Sequence, residues 1–416
     1  MTHHDIIIIG AGAAGLAAAQ KLRQAGHAPL VLEARQRIGG RIWTDRAHSQ
    51  VELGAEFIHG DNAATWQLVE PAGLPTEPWP WRAAAGAELR RAARGGTLLP
   101  EDDPLTDRVD RLFEQVEAYN GPERSVLAEI ERLTAGDSAV RPFIDHRFAC
   151  MEAADISRLN AAALRQERAL NSAGWENYRI RAGYDALPAL LAQGVNLRLG
   201  AAVAKIRWGE DGAAITLQSG ETLRAGKVII TAPLGVLQAG DIEFEPELPP
   251  AKQQAIGALA MGPVVKLVLW FGRQVWPNFT FLITDGMVLT WWMTGTPQLP
   301  ALMGYIGGPA AAKLAALGEA EAVAQARREA RAIFGAAVDG AFVAGRMVNW
   351  AADPWSRGAY SYTPLGASTA TRAQLAAPLA YTLFFAGEAT LTNGHLATVH
   401  GAIESGWRAV DEALAG

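Results

Sequence analysis

A stretch of six residues constrains this chain more than any other. Gly10-Ala11-Gly12-Ala13-Ala14-Gly15 follows directly on Asp5 to Gly10, whose four consecutive isoleucines read as a short buried strand, and it leads into the Ala-rich, helical Leu16 to Ala25. Gly10 permits the tight turn, Gly12 lets a pyrophosphate approach the backbone, and Gly15 lets the helix pack on the strand. The helix N-terminus then points N–H groups at the phosphates. A second strand, Pro29 to Leu32, ends at Glu33, 23 residues after Gly10, where a carboxylate can accept hydrogen bonds from a ribose diol. That acid argues against a 2′-phosphorylated ligand. Strand, turn, helix, strand and acid in this order define an α/β dinucleotide-binding unit, with FAD and NAD both open at this point.

What discriminates between them is Glu33-Ala34-Arg35-Gln36-Arg37-Ile38-Gly39-Gly40-Arg41, a second glycine pair with cationic side chains right behind the ribose acid. Two glycines and Arg41 place more donors around a pyrophosphate. The rest of the composition narrows the partners. A chain of 416 residues holds two to three domains, and a net charge of −6 gives no basic surface for nucleic acid. Cys150 is the only cysteine, which excludes an intrachain disulfide and a Cys-based zinc cluster, and no other metal site is expected. The run Ile6 to Ala19 is 14 residues with three glycines, too short to span a bilayer, and Met1 to Asp5 lacks the cationic start of a signal peptide. The expected location is the cytoplasm.

From Gly39-Gly40-Arg41 onward the sequence resembles the flavin-containing amine oxidase superfamily, and the resemblance recurs along the chain. Glu52-Leu53-Gly54-Ala55-Glu56-Phe57-Ile58-His59-Gly60 is similar to the segment that runs under the flavin ring in polyamine oxidases. Pro233 to Leu237, Phe244-Glu245-Pro246 and Gly262 to Lys266 are similar to the family's middle block. Trp350 to Tyr362, Phe385 to Thr390 and Ala397 to Ala402 match its closing blocks. Polyamine oxidases and the catalytic domain of flavin-dependent histone demethylases are nearest in pattern.

The resemblance implies a Rossmann-like FAD-binding domain assembled from residues 1–75, 183–263 and 346–416. It also implies a discontinuous substrate-binding domain of mixed sheet and helices from 76–182 and 264–345. Composition agrees. Pro71, Pro75, Pro78 and Pro80, interleaved with Trp79 and Trp81, read as an irregular crossover, and apolar residues at helical spacing mark an α-rich insert from about 103 to 172. Strands are expected around Leu197 to Leu199, Val203 to Trp208, Ala214 to Leu217, Val228 to Thr231, Val264 to Phe271, Phe281 to Ile283 and Val288 to Met293. One helix is expected from Pro309 to Phe334 and another from Val399 to Ala413.

By the same resemblance, FAD is held by Gly10, Gly12, Ala14, Gly15, Glu33, Ala34, Arg35, Gly39, Gly40, Arg41, Gly54, Ala55, Glu56, Phe57, Val203, Trp350, Gly387, Glu388, Thr398 and Val399. Val203 offers its backbone to the adenine, Glu388 sits beside the ribityl chain and pyrophosphate, and the N–H of Val399 faces the pyrimidine ring. Ala359 stands where covalently flavinylated relatives carry cysteine, so the flavin is expected to be non-covalent.

Lys266 lies in an otherwise apolar run, Val264 to Phe271, and in the family the matching lysine holds a water near flavin N5. Tyr360 and Trp355 are the aromatics expected at the reacting face, where ring faces orient an amine and strip its water. Thr398 stands where monoamine oxidases carry a second tyrosine, which leaves the cage half open and favours polyamine-type or secondary amines. Glu56 and His59 are expected near the substrate's approach, the carboxylate for a distal ammonium and the imidazole for an amine.

The implied reaction is hydride transfer from the carbon next to a neutral amine to flavin N5. The imine is then hydrolysed to aldehyde and amine, and O2 reoxidises the flavin to give H2O2. A monoamine or L-amino acid oxidase is the alternative within the class, and a non-catalytic flavin-binding protein is the alternative outside it. For the amino acid oxidase, no arginine in the matching blocks offers itself to a substrate carboxylate. The chain begins at the nucleotide strand, so a chromatin-binding domain and a demethylase role are not expected.

Overall fold

The structure, a computed structural model, describes residues 3–79, 90–100 and 102–415. Its backbone is an α/β fold built on two large sheets. In the eight-stranded sheet, His3–Ile9 runs parallel to Leu30–Leu32 on one side and Thr222–Ile230 on the other, and Leu383–Phe385 also pairs with Thr222–Ile230 in parallel. Ile6 to Ile9 are all buried, as expected of a strand covered by other elements on both faces. One cover is the helix Ala13–Gln24, which lies against the C-terminal helix Val399–Ala415. The two approach closely at Gly406, where a Cβ would come within 2.2 Å of the Ala14 carbonyl oxygen.

The seven-stranded sheet runs in the order Phe342–Asn349, Val264–Phe271, Pro300–Gly307, Thr290–Gly295, Phe281–Thr284, Arg90–Arg94 and Thr97–Leu98. All eight residues of Val264–Phe271 are buried. Its register sets Lys266 opposite both Tyr305 and Val348, so these three side chains share one face of the sheet. Leu267 and Leu269 meet the helices Pro309–Ala315 and Glu319–Phe334 on the other face. Four further helices, Leu105–Glu117, Val126–Thr134, Arg141–Glu152 and Ala161–Leu170, gather around the stacked rings of Phe113 and Phe148. Asn160 caps the last of them by accepting from the N–H groups of Ala162 and Ala163.

Three expectations differ from the structure. The single helix from Pro309 to Phe334 is two helices, Pro309–Ala315 and Glu319–Phe334, broken before Gly318, whose φ of +76° is open to glycine and which caps the start of the second. The irregular crossover contains a short strand, Thr76–Pro78, paired with Asn177–Ile180; Pro78 is tolerated because it ends an edge strand. Pro80 and Trp81 lie outside the described residues. Strands Pro300–Gly307 and Phe342–Asn349 carry glycines that hid them from a periodicity reading, and the first of these bears Tyr305. Among the described residues no helix is long and apolar enough to cross a membrane.

Candidate active site

One cavity of about 500 Å³ reaches from the glycine turn to the large sheet around Lys266. At its nucleotide end the walls are mostly backbone. Gly10 has φ +103°, a region side chains avoid, and a Cβ on Gly15 would lie 2.0 Å from the Gly10 carbonyl oxygen, so helix and turn touch only because both positions are glycine. Gly12 is different: a Cβ there meets nothing within 4 Å, and the residue lines the cavity. No side chain caps the helix that begins behind it and no acid stands in its first turn, which leaves the positive end of the helix to the cavity. Glu33 is buried and accepts from the backbone N–H of Ala11 (2.7 Å) and of Arg35 (2.9 Å), with further lone pairs for a diol.

The cationic string closes on partners far along the chain. Arg35 bonds Asp353 and the Ser356 hydroxyl (2.8 Å). Arg41 pairs with Glu388 at 3.0 Å, and Glu388 in turn accepts from the Ser361 hydroxyl at 2.7 Å. All the residues expected to hold the cofactor except Gly15 line the cavity; Gly15 is packed beneath it. Trp350 is pinned by a bond from its ring N–H to the Leu53 carbonyl (2.9 Å).

At the other end the walls are side chains. Lys266 is 4% exposed, and its Nζ donates to Glu56 Oε2 (2.7 Å) and to the Glu52 carbonyl (2.9 Å). Glu56 also receives Arg179 (2.5 Å) and the ring N–H of Trp292 (2.9 Å). Burial would raise the Glu56 carboxyl, but the charges of Lys266 and Arg179 and the hydrogen bonds from Lys266 and Trp292 outweigh it and hold the pKa below the ordinary value. Glu52 behaves in the opposite way: burial pushes it up to about 7, although Tyr184 N–H and the Thr44 hydroxyl donate to it.

Opposite Lys266 in the sheet, Tyr305 places its hydroxyl 3.1 Å from that of Tyr360, which also meets the carbonyls of Cys150 (3.0 Å) and Met151 (2.7 Å) at the end of the helix Arg141–Glu152. Trp292 tilts against Tyr305 at 5.7 Å. Burial raises the pKa of both phenols, so both remain neutral donors.

Several expected roles change with this geometry. Glu56 already accepts from three donors, two of them cations, so its charge is committed to Lys266 and Arg179 before a distal ammonium arrives. Thr398 caps the C-terminal helix, accepting from Gly401 N–H (3.0 Å) and donating to the His395 carbonyl (2.7 Å), and the second tyrosine of the slot comes from Tyr305 on another wall. Trp355 lines the cavity in the segment anchored by Arg35, and among the described residues no ring contact joins it to Tyr360. His59 does face the cavity. Its Nδ1 is 2.7 Å from Asn177 Oδ1, which leaves Nε2 as an acceptor for an amine N–H. Desolvation in the wall lowers the pKa of this imidazole from its ordinary value, against the hydrogen bond with Asn177, which raises it.

The sequence reading missed Tyr305, Trp292 and Arg179, which sit on separate strands with no motif around them. It also missed the cations on the cavity wall, Arg91, Arg147 and Arg168. Arg147 pairs with Asp110 and Arg168 with Glu152, so charge on this wall is matched. Arg147 and Arg168 fall in the expected α-rich insert and Arg91 on the strand Arg90–Arg94, and which way each faces was not legible.

The nucleotide end fits a flavin dinucleotide on its own features: an open glycine at an uncapped helix start, a ribose acid with spare lone pairs, and the Arg41–Glu388 pair at the wall. The comparisons agree. The family model described as flavin containing amine oxidoreductase matches residues 13–414. A lysine-specific histone demethylase 1 homolog 2 of Arabidopsis thaliana is 31% identical over 99% of this chain, which spans 59% of that relative's length. Polyamine oxidase 4 of Oryza sativa subsp. japonica is 30% identical, with 98% of this chain and 88% of its own covered. In fold, the chain is similar to putrescine oxidase bound to putrescine (TM-score 0.85, 21% identity, 100% of this chain and 99% of that one). Cyclohexylamine oxidase from Brevibacterium oxydans IH-35A gives a TM-score of 0.81 at 22% identity, covering 98% and 99%. A glycine turn that begins a dinucleotide site, a lysine buried beside an aromatic slot and a family match over nearly the whole length together make this chain a member of the flavin-containing amine oxidoreductase family.

Proposed function

We propose that this protein is an FAD-dependent amine oxidase that takes polyamine-type or secondary amines. The observation that carries the reading is one continuous cavity that joins the glycine turn to Lys266 and the Tyr305–Tyr360 pair. Polyamine oxidase relatives of which the chain spans 88% support the substrate class. Ala359 offers no thiol for attachment, in keeping with a non-covalent flavin. When bound, FAD supplies a two-electron acceptor for hydride from the carbon next to nitrogen, with O2 as the final acceptor and H2O2 as the product.

The chain's own residues then bind, orient and dry the amine. Tyr360, Tyr305 and Trp292 present ring faces and neutral hydroxyls, which favour the uncharged form of the amine over its ammonium. The Nε2 of His59 accepts an N–H from the substrate and orients the nitrogen without taking its proton. Lys266, held at two points by Glu56 and the Glu52 carbonyl, keeps a third N–H for a water or the cofactor. The α-carbon needs no strong base.

Incubation in air with spermidine, spermine, putrescine, benzylamine and L-amino acids, with peroxide and aldehyde both measured, tests the reading. Equimolar peroxide and aldehyde from the polyamines is the expected result. Turnover of L-amino acids alone, or of nothing in the panel, contradicts it.

A further inference from the structure

Two cations and one carboxylate meet in the wall behind the aromatic slot. Lys266 and Arg179 both donate to Glu56, whose side chain is 2% exposed. Arg179 is stacked on Trp79 at 3.5 Å and bonds the Met293 carbonyl, so it stays in place without Glu56. Lys266 likewise keeps the Glu52 carbonyl and lies 5.1 Å from the Trp292 ring. The carboxylate of Glu52 is turned to the Thr44 hydroxyl and the Tyr184 N–H, not to Lys266 Nζ. With Glu56 these three side chains carry one net positive charge; without it they carry two, one on Lys266, which lines the space an amine must enter, and one on Arg179 behind it.

Resting on the amine-oxidising reading above, we propose that Glu56 is a positioning residue. It fixes Lys266 against the cavity wall and offsets one of the two positive charges of Lys266 and Arg179, which lessens both the repulsion of a cation and the attraction of an anion at the slot. A unit charge within a few ångströms in a poorly hydrated wall shifts ligand affinity by an order of magnitude or more. Removing either kind of charge therefore has opposite consequences, which a purely structural role does not.

The test uses the FAD-loaded protein and two probes of matched shape, benzyltrimethylammonium and benzoate, titrated by calorimetry at pH 8.5, above the value near 7 at Glu52. Glu56→Gln is expected to weaken the cation and tighten the anion, moving the ratio of their dissociation constants at least tenfold, and to raise the flavin midpoint potential. Arg179→Gln is expected to move the ratio and the potential the other way, which keeps the proposal testable if the first variant fails to fold. Ratios within twofold of the parent in whichever variants fold, or a shift of the same sign in both, would overturn the assignment of charge balance to Glu56. No readout here requires amine turnover. A protein that oxidises no amine but shows the opposed shifts would refute the proposed function and leave this inference standing.

Discussion

The two ends of the cavity are built on different principles. The nucleotide end is backbone and glycine, contributed by one short stretch of chain and reinforced by Gly39, Gly40 and Gly387. The reacting end is side chains from elements far apart: Glu56 from one loop, Arg179 from a three-stranded sheet, Lys266, Trp292 and Tyr305 from three strands of the large sheet, and Tyr360 from near the C-terminus. The nucleotide end depends on glycines that carry no side chain, with its charge pairs Arg35–Asp353 and Arg41–Glu388 set around them, whereas the reacting end depends on the paired charges of Glu56, Lys266 and Arg179.

The largest expected effect follows from the first half of that contrast. Gly12→Val places methyls in open cavity at a φ of −80° that valine accepts, so the fold should survive while FAD affinity drops by more than about 100-fold. Fluorescence titration of the apoprotein, with circular dichroism as the control, measures this. Gly15→Ala provides the contrast, because its Cβ strikes the Gly10 carbonyl and should lower stability itself. Next comes Lys266→Met, which breaks a buried pair: a stability loss of about 3–5 kcal/mol and an amine-dependent flavin reduction slowed about 100-fold are expected by thermal melting and anaerobic stopped flow. Retained FAD in this variant would sharpen the separation between the two ends; lost FAD would break it.

How far the sequence reveals each end follows the same division. A glycine turn needs its residues adjacent, so Gly10 to Gly15, Glu33 and Gly39-Gly40-Arg41 were readable, as was the strand at Val264–Phe271. Lys266 stood out because a charge in a greasy strand demands a partner. That partner was not readable: Glu56 lies 210 residues away, and its approach depends on how a loop meets the sheet. Tyr305 was hidden twice, by a strand punctuated with glycines and by a cross-strand register that periodicity along one segment does not report.

A smaller effect tests burial at the first turn of the C-terminal helix. Burial pushes His400 down to about 3, against 6.5 for a free imidazole, so between these values the unfolded chain binds a proton that the folded protein refuses. Stability is therefore complete above about pH 6.5 and falls as the pH drops towards 3. At pH 4.5 the loss from this group is about 2–3 kcal/mol, seen as a steeper acid-side melting profile in the parent than in His400→Gln. Parallel profiles would show that the imidazole is hydrated. The smallest effect is that of Tyr305→Phe, which removes one hydroxyl from the pair with Tyr360: about 1 kcal/mol, read as a rise of about fivefold in amine KM with FAD affinity unchanged.

The account as a whole stands on one cavity that serves a flavin and an amine together, and anaerobic titration of FAD-reconstituted protein with spermidine tests it most directly. The account predicts a stoichiometric yellow complex that releases free FAD on denaturation and is fully bleached by the amine without oxygen. A protein that takes up no FAD, or whose flavin stays oxidised in the presence of every amine offered, would contradict it.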